Sequence, residues 1–181
     1  MKLGWLCGVL LVPLATACGS SDDEAGEGEP TDGCTRGELE QDIEYVPVRL
    51  EGSPGPLAAP PAEGYVVSTT YLRLKHDDAA KSRFRTLNGP IMEDLLARSG
   101  LVALEFAIEA ECNTARTKSV WTSTEAMYEF VTSEAHGAAV QSVGELSRGG
   151  SVVTHWTAKT LDETTWDEAT ARLNGDKGPI Y

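Results

Sequence analysis

Period-two alternation is clearest between Val102 and Glu111, where Val102, Leu104, Phe106 and Ile108 alternate with Ala103, Glu105, Ala107 and Glu109. That pattern predicts a β-strand with one face on a core and the other in water. Thr114 to Trp121 reads as its return strand, and a hairpin closed on Cys112-Asn113 would set Glu109 opposite Arg116 and Leu104 opposite Trp121. Under that register Glu105, Glu109, Arg116 and Lys118 share an ion-paired face, expected to be solvated, with a polar pocket lining as the alternative. Upstream, Tyr65 to Lys75 has the β-branched and aromatic content of a strand. Between the two, Phe84, Leu87, Ile91, Leu95 and Leu96 recur at helical spacing over Ala79 to Ser99, with Gly100 just beyond. Asn88-Gly89-Pro90 should kink or break that helix.

Downstream, Ser123 or Thr124 can cap a second helix whose apolar stripe is Met127, Phe130, Val131, Ala135 and Ala138. Gly149-Gly150 ends the following loop, Ser151 to Lys159 reads as a fourth strand, and Trp166 to Leu173 as a short helix stopped at Asn174-Gly175. The order β-α-β-β-α-β plus a terminal helix predicts an α+β, ferredoxin-like domain over residues 65–181. Before it, residues 34–64 hold a strand-like run, Ile43 to Leu50, that Pro47 limits to a sheet edge, and then a proline-rich linker, Ser53 to Gly64. No repeat of 20 to 50 residues recurs, which excludes a solenoid.

The first 33 residues follow other rules. Lys2, an apolar run from Leu3 to Ala17 and small residues at its end have the layout of a secretory signal peptide over residues 1–17. The run is short of the roughly 20 apolar residues that span a bilayer. Leu14-Ala15-Thr16-Ala17-Cys18 resembles a bacterial lipobox, which implies acylation of Cys18, palmitate among the chains, and a membrane-anchored lipoprotein of the cell envelope facing the periplasm or exterior. Ala15-Thr16-Ala17 also fits an ordinary cleavage site, which would leave a freely secreted protein. Residues 18–33 carry six carboxylates and no basic side chain, so they read as an extended acidic tether. The formal charge of −13 repels phosphate and excludes nucleic acid as a partner, leaving the lipid anchor as the contact with membrane.

With Cys7 in the signal and Cys18 acylated, Cys34 and Cys112 are the remaining pair; a disulfide is expected, with two separate thiols as the alternative. No cysteine or histidine spacing points to a metal, and no nucleophile elbow, phosphate loop or dinucleotide fingerprint occurs.

Ser119-Val120-Trp121, Glu125-Ala126-Met127, Phe130-Val131, Ala135-His136 and His155-Trp156 resemble the dimeric α+β-barrel superfamily, in particular the antibiotic-biosynthesis-monooxygenase-like proteins, over Tyr65 to Thr157. The resemblance implies a homodimer whose two sheets close a barrel, with a small-molecule pocket between sheet and helices. It spans cofactor-independent quinone-forming oxygenases, haem-degrading oxygenases and proteins without known activity, so it does not choose an activity. The haem-degrading triad is absent: the first strand has no Asn, and Phe130 and Val140 stand where that branch has Trp and His. No cofactor is therefore expected, with haem at His136 as the exception to test.

His136 is the candidate catalytic base, since a neutral imidazole can take a proton from a phenolic substrate; the bland alternative is a structural hydrogen bond to a neighbouring loop. Trp121, Phe130 and Trp156 are candidates to line an aromatic ligand, or else plain core. His155 should point away from the core that Trp156 enters, and His76 should be a solvated loop residue. The expected function is a membrane-tethered domain binding a small aromatic or apolar ligand, with cofactor-independent monooxygenase chemistry at His136. The alternative is a non-enzymatic envelope module that binds a ligand or a protein.

Overall fold

The structure, a computed structural model, describes residues 34–39, 43–48 and 60–175. The signal, the lipidation site Cys18 and the acidic tether lie outside the described residues. Five strands, β1 (Glu44–Val48), β2 (Tyr65–Arg73), β3 (Leu101–Glu109), β4 (Thr114–Trp121) and β5 (Val152–Ala158), form one sheet in the order β1-β3-β4-β2-β5. Every neighbouring pair is antiparallel. Without β1 this is the ferredoxin-like sheet, an α+β arrangement in which β4 separates β2 from β3, the strands at either end of the first crossover. The Pro47-containing segment is the edge strand, pairing with β3 so that Val46 faces Phe106.

Helices α1 (Asp78–Leu96), α2 (Thr124–Val131), α3 (Glu134–Gln141) and α4 (Val143–Leu146) belong to the two crossovers. Helix α1 runs through Pro90 without a break. Thr86, whose carbonyl the proline leaves without an N–H partner, is an exposed residue, as are Gly89 and Pro90. The second helix, read as one element from the sequence, is divided at Thr132-Ser133. Thr132 Oγ1 donates to Tyr128 O, and Ser133 caps α3 by accepting from His136 N. Hydroxyl side chains that bond the local backbone compete with helix continuation in this way. Gly100 lets the start of β3 approach α2, since a Cβ there would stand 2.4 Å from Ala126 Cβ.

On the helix side, Val66, Leu95, Leu101, Leu104, Trp121, Met127 and Phe130 form one buried cluster, and Leu74, Ala115 and Leu146 a second. On the outer side, Tyr65, Val67, Val102, Val120, Trp156 and Ala158 pack with Ala169 of the C-terminal helix α5 (Trp166–Gly175), and Tyr71 and Val152 pack with Leu173.

The β3–β4 hairpin departs from the predicted register. Glu109 pairs with Thr114, Ala107 with Arg116 and Leu104 with Ser119, while Trp121 meets Leu101 across a bulge that turns Val102 to the outer face. The connection has four residues instead of two. The Glu109 carboxylate accepts from the amides of Glu111 and Cys112, and Asn113 takes a left-handed conformation (φ 47°) while its side chain donates to the carbonyls of Leu74 and Lys75. A side chain that satisfies the turn's own amides stabilises the longer loop.

The predicted wet face is also corrected. Glu109, Arg116 and Lys118 are buried, because residues 34–39 and α5 lie over the outer face. Arg116 donates to the carbonyls of Thr35, Arg36 and Glu38 and lies 4.3 Å from the centre of the Tyr71 ring. Lys118 donates to Thr164 O at 2.6 Å, pairs with Glu105 at 3.0 Å and sits under the Trp166 ring. Cys34 and Cys112 form a disulfide that fastens the same N-terminal segment to the hairpin turn. Ile108, predicted inward, is 48% exposed.

Candidate functional site

The sequence candidates divide between the two faces of the sheet. Trp121 is fully buried on the helix side, its indole N–H donating to Ser119 Oγ at 2.9 Å and its ring stacked on Phe130 at 5.7 Å. Phe130 stands edge-on to His136 at 4.9 Å. These three form a continuous line from the sheet to the helix surface. Trp156 does not join them: it is buried on the outer face, in the cluster that includes Tyr65, Val67 and Ala169. A single aromatic wall of Trp121, Phe130 and Trp156 is thus not formed, because strand alternation sends Trp121 and Trp156 to opposite sides of the sheet.

His155 is exposed and Trp156 buried, as alternation predicts. The His155 ring meets Tyr128 edge-on at 6.3 Å. His76 is exposed in the loop before α1.

The break between α2 and α3 creates the environment of His136. Because Ser133 caps a new helix, His136 occupies its first turn, and its Nδ1 lies 2.9 Å from Val131 O at the end of α2. A carbonyl only accepts, so the proton resides on Nδ1 and the lone pair of the neutral ring on Nε2. Burial lowers the His136 pKa below 6.5; the bond to Val131 and the nearby charge of Asp94 oppose this in part. Near pH 7 the ring is therefore a neutral base.

Asp94, near the end of α1, is the group that sequence reading missed. Arg98 binds its Oδ1 through Nη2 at 2.5 Å and Nε at 3.0 Å. Burial acts to raise its pKa, but Ser133 and Arg98 outweigh that and hold the carboxyl below its ordinary 3.8. The available signal was the Asp94/Arg98 spacing of four residues on a helix, which also describes ordinary surface pairs.

Beyond Trp121 the helix-side face of the sheet carries hydroxyl side chains. Thr70 and Thr117 share a hydrogen bond of 2.6 Å, and Ser119 reaches Ser68 O at 3.4 Å. Ser68, Thr70 and Thr117 are half-buried, and Val153, His155 and Thr157 on the adjoining edge strand are exposed. The helix layer therefore leaves part of its own sheet face uncovered. Among the described residues no group of three or more His, Cys, Asp or Glu is placed to hold a metal ion, and no helix is long and apolar enough to cross a membrane.

No protein-family model matches the sequence, and no curated protein is significantly similar to it. Among solved structures, Rv0793 from Mycobacterium tuberculosis is similar at 19% identity, covering 52% of this chain and 95% of that one, with a TM-score of 0.46. A conserved protein from Methanosarcina mazei Go1 is similar at 12% identity over 54% of this chain and 95% of its own, with a TM-score of 0.47. SnoaB, a cofactor-independent oxygenase from Streptomyces nogalater, is similar at 16% identity over 54% and 95%, with a TM-score of 0.43. The ferredoxin-like fold of this chain rests on its own sheet order and register.

Proposed function

We propose that this chain is an exported, lipid-anchored protein of the cell envelope whose ferredoxin-like domain binds a small aromatic or apolar molecule on the helix side of the sheet, beside His136. The observation that carries the ligand site is the setting of His136. It is a half-buried neutral ring with its proton fixed toward Val131, its face against Phe130, and its basic nitrogen turned from that bond. On the same side of the sheet, the half-buried hydroxyls of Ser68, Thr70 and Thr117 and the exposed Tyr128 supply polar and aromatic surface. The apolar run ending at Cys18 and the acidic stretch after it support the anchor.

Two tests apply. Metabolic labelling with palmitate should mark the chain and fail in Cys18→Ala; an unlabelled membrane-free product would remove the anchor. Titration of the detergent-solubilised chain with 1,4-naphthalenediol under argon should give saturable binding that His136→Phe weakens at least tenfold. No binding at millimolar ligand would remove the site.

A second reading, cofactor-independent oxygenation with His136 as base, rests on the same imidazole and predicts oxygen uptake with that quinol, abolished in His136→Phe. Complete burial of Trp121 favours binding without turnover, since that indole offers no surface to a substrate. Haem ligation at His136 predicts a Soret band on adding haemin. Self-association belongs to the proposal with one constraint. The outer sheet face is filled by α5 and residues 34–39, so two copies would meet elsewhere, and sedimentation velocity reads the outcome.

A further inference from the structure

One carboxylate oxygen beside the candidate site lacks a donor. Asp94 Oδ1 is satisfied by Arg98, but Oδ2 is shielded from solvent without a hydrogen-bond partner. Ser133 stands between the two helices: its Oγ accepts from His136 N at 3.3 Å and lies close to the Asp94 carboxylate without a well-formed bond to Oδ2. A shielded carboxylate oxygen with no donor is unfavourable unless a positive charge or a donor arrives beside it.

His136 presents the complementary need. Its Nδ1 is committed to Val131 O, so a second proton can enter only at Nε2, and the ring then becomes a cation in a half-buried place. Phe130, packed edge-on from α2, offers no charge. On its own helix Glu134 is exposed. From α1 the facing charges are Asp94 and the Arg98 bound to it. The Asp94 charge favours the protonated ring.

We propose that Asp94 is a positioning residue for His136: its carboxylate, shielded and without a well-formed bond at Oδ2, is the counter-charge that allows the half-buried ring to take a proton at Nε2 from an O–H or N–H of the bound molecule. The inference rests on the ligand reading above. In the step, the ligand's O–H or N–H bond breaks with its electron pair staying on the ligand atom, a new N–H bond forms at Nε2, and no electron is transferred. The product is a ligand anion beside an imidazolium held by Asp94.

The test is a ring-nitrogen NMR titration of the full-length chain in detergent, following His136 with His76 and His155 as internal controls. Asp94→Asn should move the His136 midpoint down by about 0.5 pH unit, the size of a solvent-screened charge partner, leaving the controls in place and the proton on Nδ1. Arg98→Met, which removes the competing cation, should move it up. A midpoint unchanged or raised in Asp94→Asn overturns the proposal. If Asp94→Asn does not fold, an unmoved midpoint in Arg98→Met overturns it instead. Failure of ligand binding alongside intact coupling would remove the ligand reading and leave the Asp94–His136 coupling standing.

Discussion

Replacing both cysteines of the Cys34–Cys112 bridge by serine removes a crosslink that spans 78 residues. In the chain-entropy treatment a loop of that size stabilises the folded state by about 4.5 kcal/mol at 25 °C. The segment would not be wholly freed, because Arg116 still grips the carbonyls of Thr35, Arg36 and Glu38. Hydrogen bonds from a charged donor contribute about 1.5 to 3 kcal/mol each. The expected loss is therefore about 3 to 4.5 kcal/mol, or a fall in Tm of roughly 10 to 20 °C for a domain of this size. Urea unfolding without reductant, followed by the fluorescence of buried Trp121, measures it. Adding Arg116→Met to the serine pair should cost more than Arg116→Met costs in the bridged protein, because the guanidinium then becomes the principal hold on the segment. A loss below about 1 kcal/mol in the serine variant would refute the reasoning, as would strict additivity with Arg116→Met.

Three further outcomes are expected. Trp121→Leu should cost about 2 to 4 kcal/mol through a cavity in the helix-side cluster and loss of the bond to Ser119; an unchanged urea midpoint would contradict that burial. Glu109→Ala leaves the amides of Glu111 and Cys112 without their acceptor and should cost about 1 to 3 kcal/mol, read by urea unfolding together with faster amide exchange confined to that turn. Stability should decline on acidification below pH 6.5. The folded His136 pKa is lowered, so the unfolded chain binds more protons between 6.5 and that lower value, and stability present above 6.5 is lost through this window. His136→Gln should remove that decline. The depressed Asp94 pKa acts separately, its contribution being present above 3.8 and lost at lower pH. A wild-type profile flat from pH 7 to 5 would refute the His136 assignment.

Strand existence and order were legible because the β-branched runs at Tyr65 and Ser151 and the alternation from Val102 are strong local signals. The break at Thr132-Ser133 was not legible, because the apolar stripe continues across it and only the hydroxyl side chains announce it. That break places His136 at the start of a helix and gives it Val131 as a partner. The hairpin register differs by two residues from the one that a turn on Cys112-Asn113 predicts, because the Glu109 carboxylate organises a longer loop. Burial of Arg116 and Lys118 depends on segments far away in sequence, residues 34–39 and Thr164, which no period-two pattern can reveal. Asp94 was hidden because its relation to His136 exists only where α1 and α3 meet.

The most direct test of the central claim is to titrate the full-length chain with 1,4-naphthalenediol under argon while recording the ring nitrogens of His136. A saturable shift at His136 Nε2 is expected, with Nδ1 still protonated and His76 unmoved. A His136 spectrum unchanged at millimolar ligand, or equal shifts at His136 and His76, would contradict it.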